Sequence, residues 1–219
     1  MVVRIRYIGH SAFQILGSKN IIIDPFITGN PVAKGVAGQP DLILVTHAHG
    51  DHLGDSVEIS KKYGAPVVCM YDLAQHLQGV KVYGINYGPA KIEGVDIVMV
   101  PAWHSSTVDG RSAGNAAGYV VKMDGKTVYH AGDTYVFGDM ALFRELYGPI
   151  DVALLPIGGY FTMGPKEAAK AVELLEPRVV IPMHYNTFPP IRQDPEAFAK
   201  MVGGKAEVRV LSPGDETEV

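Results

Sequence analysis

The chain has 219 residues, 47% of them apolar and 19% charged, with a formal charge of −4. That length sets an expectation of one domain, residues 1–219, with a substantial core. An acidic balance with no Lys/Arg cluster excludes an extended nucleic-acid surface, which needs a basic patch, but leaves room for a small phosphate ester. The single cysteine, Cys69, rules out an internal disulfide.

Residues 3–8, 12–16 and 20–24 read as three short strands, the last two joined across Gly17-Ser18-Lys19-Asn20. The first lacks the apolar core of a secretion signal, and no apolar run nears the roughly 18 residues of a membrane span. A soluble, cytoplasmic protein is therefore expected, with no membrane partner. Residues 25–40 read as a loop bordering a site. Strand 41–46 follows, then a polar stretch, helix 53–63, strand 66–70 with Cys69 in the core, and a short helix over 72–77. Strands near 80–85, 90–93 and 95–101 lead into a Ser/Gly-rich loop over 103–114. A hairpin over 118–123 and 126–130 turns at Asp124-Gly125, a strong turn signal. Helix 138–147, strand 151–156, loop 157–164 and helix 165–176 follow, with Pro165 suited to a first helical position. Strand 178–182, a proline-containing loop, helix 195–202 and strand 206–211 complete the pattern.

A faint repeat runs through this order. Pro40-Asp41-Leu42-Ile43-Leu44 aligns with Ile150-Asp151-Val152-Ala153-Leu154, Pro66-Val67-Val68 with Arg178-Val179-Val180, and Phe13 with Tyr119. Two similar β-rich halves, packed sheet on sheet with helices outside, would form an αββα sandwich.

The polar stretch is Val45-Thr46-His47-Ala48-His49-Gly50-Asp51-His52-Leu53-Gly54. It lies where a strand ends and a helix begins. In extended chain, residues two apart point the same way, so His47 and His49 can reach one cation. Asp51 and His52 fall where the chain turns and can aim at a second. Nitrogen and carboxylate donors together suit zinc, and also manganese or iron.

H-A-H-G-D-H resembles the signature of the metallo-β-lactamase superfamily. Gly9-His10-Ser11-Ala12-Phe13 and Asp24-Pro25 narrow the likeness to small metal-dependent hydrolases related to ascorbate-6-phosphate lactonase and to the phospholipase D that cleaves N-acylethanolamine phospholipids. The resemblance implies the αββα fold with the site along one edge between the halves. It also implies three further ligands: His104 in Pro-Ala-Trp-His-Ser-Ser, Asp133 in His-Ala-Gly-Asp-Thr and His184 in Ile-Pro-Met-His-Tyr. One ion would then sit on His47, His49 and His104, a second on Asp51, His52 and His184, with Asp133 between them. Two such ions about 3.5–4 Å apart make a hydrolytic centre in which a metal-bound hydroxide attacks phosphorus or a carbonyl carbon. No Ser or Cys nucleophile is needed, and no G-x-S-x-G elbow is present.

Around these ligands, Asp24 and Thr46 are expected to orient ligand histidines, as ligating imidazoles usually donate their other N–H. His10 is expected, with Asp51, to be catalytic, donating a proton to the leaving group or touching substrate. His130 reads as a supporting histidine and His76 as uninvolved. Gly158, Gly159, Tyr160 and Tyr185, with Tyr135, are the expected substrate wall. Bare glycine amides and a helix N-terminus there would favour an anionic group. The expected function is hydrolysis of a small phosphodiester, lactone or carboxylic ester at a dinuclear centre. The alternatives are an iron-dependent redox enzyme of the same fold and a metal-stabilised binding module without turnover. A β-lactamase proper is disfavoured by the missing signal peptide, and a tRNA-processing nuclease by the absence of a basic arm. The diiron relatives carry Glu where this chain has His49. A small-molecule substrate is the expected partner, and a homo-oligomer stays open.

Overall fold

The computed structural model describes all of residues 1–219 and contains two seven-stranded sheets. The first is built from β1 (Arg4–Gly9), β2 (Ala12–Leu16), β3 (Asn20–Ile23), β4 (Leu42–Leu44), β5 (Val67–Met70), β6 (Val82–Ile85) and β16 (Glu216–Glu218), in the order β16-β1-β2-β3-β4-β5-β6. The second is built from β7 (Gly88–Ile92), β8 (Val95–Pro101), β11 (Ala117–Met123), β12 (Lys126–His130), β13 (Val152–Pro156), β14 (Val179–Met183) and β15 (Glu207–Val208), in the order β15-β14-β13-β12-β11-β8-β7. A separate small hairpin pairs β9 (Thr107–Val108) with β10 (Arg111–Ser112).

The central parallel strands are short, continuous apolar runs, such as Ile21-Ile22-Ile23 and Leu42-Ile43-Leu44, and every one of these side chains is fully buried. Strands covered on both faces take this form, with no polar alternation. The edge strands β15 and β16 are instead two and three residues long and rich in Glu, which discourages pairing with another chain. One cluster of 56 buried apolar residues fills the interior. On the second sheet, α5 (Pro165–Leu175) buries Ala168, Ala171, Val172 and Leu175 and packs on β13 between α4 (Met140–Tyr147) and α6 (Pro195–Val202). On the first, α2 (Ser56–Tyr63) packs on β5, and α3 (Tyr71–Ala74) on β5 and β6. Two sheets with helices on their outer sides form the expected sandwich. No helix is long and apolar enough to cross a membrane.

The halves are stitched together along one edge. Ala117 N–H donates to Thr46 O (3.0 Å) and His184 N–H to His10 O (2.9 Å). Tyr119, fully buried on β11, reaches across to donate to Val45 O at 2.9 Å. These bonds fix the loops at the ends of the parallel strands against one another, and the candidate site lies there.

Three expectations need correction. The helix expected over 53–63 is two pieces, α1 (Gly50–Leu53) and α2, because the loop after β3 docks between them. Gly54 adopts φ +43°, and a side chain there would collide with Pro25 O. Asp55 then accepts from the amides of Ile27 and Thr28 at 2.9 and 2.8 Å. The expected last strand, 206–211, shortens to β15. The chain instead ends on β16, where Glu216 meets Arg4 and Arg6 of β1 at 2.6 and 3.0 Å. A three-residue charged strand has no apolar period to reveal it. The loop 103–114 contains β9 and β10.

Candidate metal centre

Seven of the eight histidines lie at the stitched edge; the eighth, His76, is exposed on the far side of α3. The candidate residues come from the turn after β1 (His10), the segment after β4 (His47, His49, Asp51, His52), the loop after β8 (His104), the turn after β12 (Asp133) and the end of β14 (His184). Their donor atoms fall into three groups, each within 4.8 Å: His47, His49 and His104; His10, Asp51, His52 and His184; and His47, His52 and Asp133. The division expected for two ions, with Asp133 adjoining both, is compatible with this grouping, and His10 joins the second set.

Asp24 organises the cluster from behind. It is fully buried and accepts from Thr46 N–H (2.8 Å), Thr46 Oγ1 (2.7 Å) and His52 Nδ1 (2.7 Å). Because the Thr46 hydroxyl gives its proton to Asp24, it accepts from His47 Nδ1 at 3.0 Å. One carboxylate thus orients two histidines, and both Nε2 atoms are turned toward the cleft.

What those nitrogens meet is the fit test for a metal. His52 Nε2 lies 3.2 Å from Asp133 Oδ1, yet both atoms are buried without a hydrogen-bond partner. His184 Nε2 lies 3.1 Å and His104 Nε2 3.5 Å from Asp133 Oδ2. His47 Nε2 faces His49 Nδ1 at 3.0 Å. Buried polar atoms left without a hydrogen-bond partner are costly unless a cation lies among them. The donor set fits divalent metal. The electrostatics agree: burial pushes His47 well below the usual imidazole range and lowers His49 and His104, so these remain neutral donors. Burial would lower His52 as well, but Asp133 and Asp24 outweigh it and hold His52 well above that range. Burial would raise Asp133, and His184 and His52 outweigh it and hold it ionised.

His10 departs from its expected role. It is fully buried, and the seven residues lining the site's cavity of about 390 Å³ do not include it. Its Nε2 lies 3.1 Å from Asp51 Oδ2 and its Nδ1 2.9 Å from Thr187 Oγ1. A nitrogen facing a carboxylate carries the proton, so Thr187 donates to Nδ1. Burial lowers His10 to about 4, so the ring is neutral and braces Asp51. Asp51 itself lines the cavity; burial would raise it, but the His10 bond and His52 keep it well below the usual carboxylate range. His130 braces the turn before Asp133, donating to Ser11 O (2.9 Å) and accepting from Gly132 N–H (3.1 Å).

Two amides of the expected anion cradle are engaged elsewhere. Gly159 N–H donates within its own loop to Met163 O at 2.9 Å, and the α5 cap is closed by Gly164 N–H on Glu167 at 3.1 Å. Gly158 has a packing role: a side chain there would collide with His184 O. Tyr160 is 82% exposed, and neither it nor half-buried Tyr185 lines the cavity. The lining is His49, Asp51, His104, Ser105, Asp133, Phe161 and His184. Ser105 and Thr187 carry no motif of their own; only proximity in the fold identifies them, whereas the Asp24–Thr46 pair stands where the sequence expected it.

The sequence profile described as Beta-lactamase superfamily domain matches residues 4–184. A UPF0173 metal-dependent hydrolase of Pyrococcus abyssi is 64% identical over the full length of both chains. The solved structure of Igni18, a metallo hydrolase from Ignicoccus hospitalis, is 43% identical, superposes with a TM-score of 0.92 and covers 100% of this chain and 99% of its own. The metallo-beta-lactamase fold protein YhfI from Bacillus subtilis, 13% identical with a TM-score of 0.74 over all of both chains, shares the fold. The narrower likeness to ascorbate-6-phosphate lactonase is not among what these relatives show. The chain belongs to the beta-lactamase superfamily and, within it, to the UPF0173 metal-dependent hydrolases.

Proposed function

We propose that the chain hydrolyses a small ester, a phosphodiester or a lactone or carboxylic ester, using two divalent ions. His47, His49 and His104 would hold one, Asp51, His52 and His184 the other, with Asp133 shared. Zinc suits the mixed imidazole–carboxylate set best, and manganese and iron accept it too. When bound, such a pair supplies Lewis acidity to the reacting oxygen and an acidified water as nucleophile.

The remaining work falls to the chain. Asp24 and Thr46 keep the imidazoles of His47 and His52 turned inward. His10 holds Asp51 in place, and Asp51, ionised and on the cavity wall, is positioned to take a proton from a water or pass one on. The cavity, about 390 Å³, admits a small substrate. The observation that carries this reading is the convergence of seven donor residues from four segments on one cleft, with His52 Nε2 and Asp133 Oδ1 buried and unpartnered.

The test is metal content together with turnover. Protein reconstituted separately with Zn²⁺, Mn²⁺ and Fe²⁺ is assayed on bis(4-nitrophenyl) phosphate, 4-nitrophenyl acetate and a thiolactone. Two ions per chain with hydrolysis of at least one substrate is the expected result. Oxygen uptake with iron and no hydrolysis overturns it, as does full metal loading with no turnover.

A further inference from the structure

Seven aromatic side chains are substantially exposed, and five of them stand on the loops that carry or border the candidate ligands: Trp103, Tyr135, Tyr160, Phe161 and Phe188. Trp103 precedes His104, Tyr135 lies two residues past Asp133, and Phe188 stands edge-on to His10 at 5.5 Å. Three of these loops are pinned on one residue. Thr134 Oγ1 accepts from Trp103 N–H (2.9 Å), Thr134 O accepts from Met163 N–H (3.0 Å), and Tyr135 N–H donates back to Trp103 O (3.3 Å). Trp103, Tyr135 and Phe161 therefore share one braced rim, with Trp103 70% and the other two 55% exposed. Phe161 lines the cavity, and Trp103 adjoins its lining residue His104; exposed aromatic rings beside a cavity are candidates for a binding surface.

The charges point the same way. No Lys or Arg lines the cavity, and its charged walls are Asp51 and Asp133. The amides of Gly159 and Gly164 are bonded within their own loop and cap. A substrate with a second negative charge, away from the bond being cut, finds no partner.

We propose that the substrate carries an uncharged, flat apolar group beside its ester bond, and that Trp103, Tyr135 and Phe161 grip that group at the mouth of the site. This rests on the hydrolase reading above for the bond cleaved, but not for the binding itself. Trp103 is the only tryptophan of the chain, so its emission reports the rim directly.

The first experiment titrates metal-free protein with 2-naphthol, a neutral ring with no cleavable bond. Saturable quenching of Trp103, weakened several-fold in Phe161→Ala, is expected. The second compares methyl 4-nitrophenyl phosphate with 2-naphthyl 4-nitrophenyl phosphate, and 4-nitrophenyl acetate with 4-nitrophenyl 2-naphthoate, on the zinc-loaded protein. A kcat/KM about tenfold higher for the naphthyl member, collapsing toward parity in Trp103→Ala and Phe161→Ala, follows from two rings stacking on the ligand. Turnover without ring preference and without quenching overturns the rim assignment while sparing the hydrolase reading. Quenching without turnover sustains the rim and sinks the hydrolase reading. Emission that shifts with protein concentration alone, unaffected by naphthol, overturns the rim in favour of a second copy of the chain.

Discussion

Read from β16 and from β7, each sheet makes three antiparallel pairings followed by three parallel ones, so β1, β2, β3, β4, β5 and β6 correspond to β8, β11, β12, β13, β14 and β15. The loops at matching strand ends differ in what they carry. After β4 stand His47, His49, Asp51 and His52; after β13 the loop 157–164 has no candidate ligand. After β3 stands Asp24, fully buried behind the cluster; after β12 stands Asp133, on the cavity wall. After β1 stands His10, buried against Asp51; after β8 stands His104, on the wall. One strand plan, used twice, places candidate ligands and their supports at matching stations. The first half supplies a contiguous run of candidate ligands with its buried braces, the second the separate candidates that face them.

The largest effect is expected from removing Asp133, the second half's counterpart of Asp24. Asp133→Ala removes the group shared by both ligand sets, and should lower turnover on the order of 10³-fold and cut bound metal below two ions, read by mass spectrometry of the desalted protein. Gly158→Ala tests the ligand-free loop, because its new methyl meets His184 O; displacement of His184 should cost about 10²-fold in kcat with the fold intact by circular dichroism. Asp24→Asn leaves all seven proposed ligands in place and should weaken metal binding about 10- to 100-fold, because the His47 and His52 imidazoles are no longer held in orientation. An Asp24→Asn protein with wild-type metal affinity would remove Asp24 from its supporting role.

A smaller effect separates the two ligand sets by pH. His47, His49 and His104 are lowered by burial and bind metal without losing a proton at pH 7. His52 is raised by Asp133 and Asp24 against burial, so it is protonated in the metal-free protein and must release that proton. Metal affinity at the second set should therefore rise with pH, about tenfold per unit, until the raised His52 value is passed, while the first set stays flat over the same range. Titration calorimetry in buffers of different ionisation enthalpy should find about one proton released for the second ion and none for the first. The smallest effect belongs to Gly159→Asp. Its amide is already bonded and its φ of +66° is strained for any side chain, so it should cost about 1–2 kcal/mol in stability and leave KM for anionic esters within about twofold.

Much of this was legible in the chain. The apolar runs at 20–23 and 42–44 marked buried strands, Asp124-Gly125 marked a hairpin, and the spacing of His47, His49, Asp51 and His52 marked a metal site, because strand period and turn chemistry are local. The repeat, faint in identities, recurs in full in the strand order. His104, Asp133 and His184 needed the resemblance, since nothing in their local spacing links them. The break at Gly54, the strand β16 and the hairpin β9–β10 were not legible, because a docked loop or a distant edge decides them.

By itself, then, the sequence determined most of the strands and helices, where four candidate ligands cluster, and that a single cysteine forms no internal disulfide. Only the tertiary structure decided that His10 faces Asp51 and not the opening, that the Gly159 amide is already bonded, and that Phe161 and Ser105 border the cavity. The physical reason is one of range. Backbone conformation follows from neighbours along the chain, whereas the tautomer of a buried imidazole, the use of an amide and the face of a cavity depend on groups brought close only when two sheets close on each other.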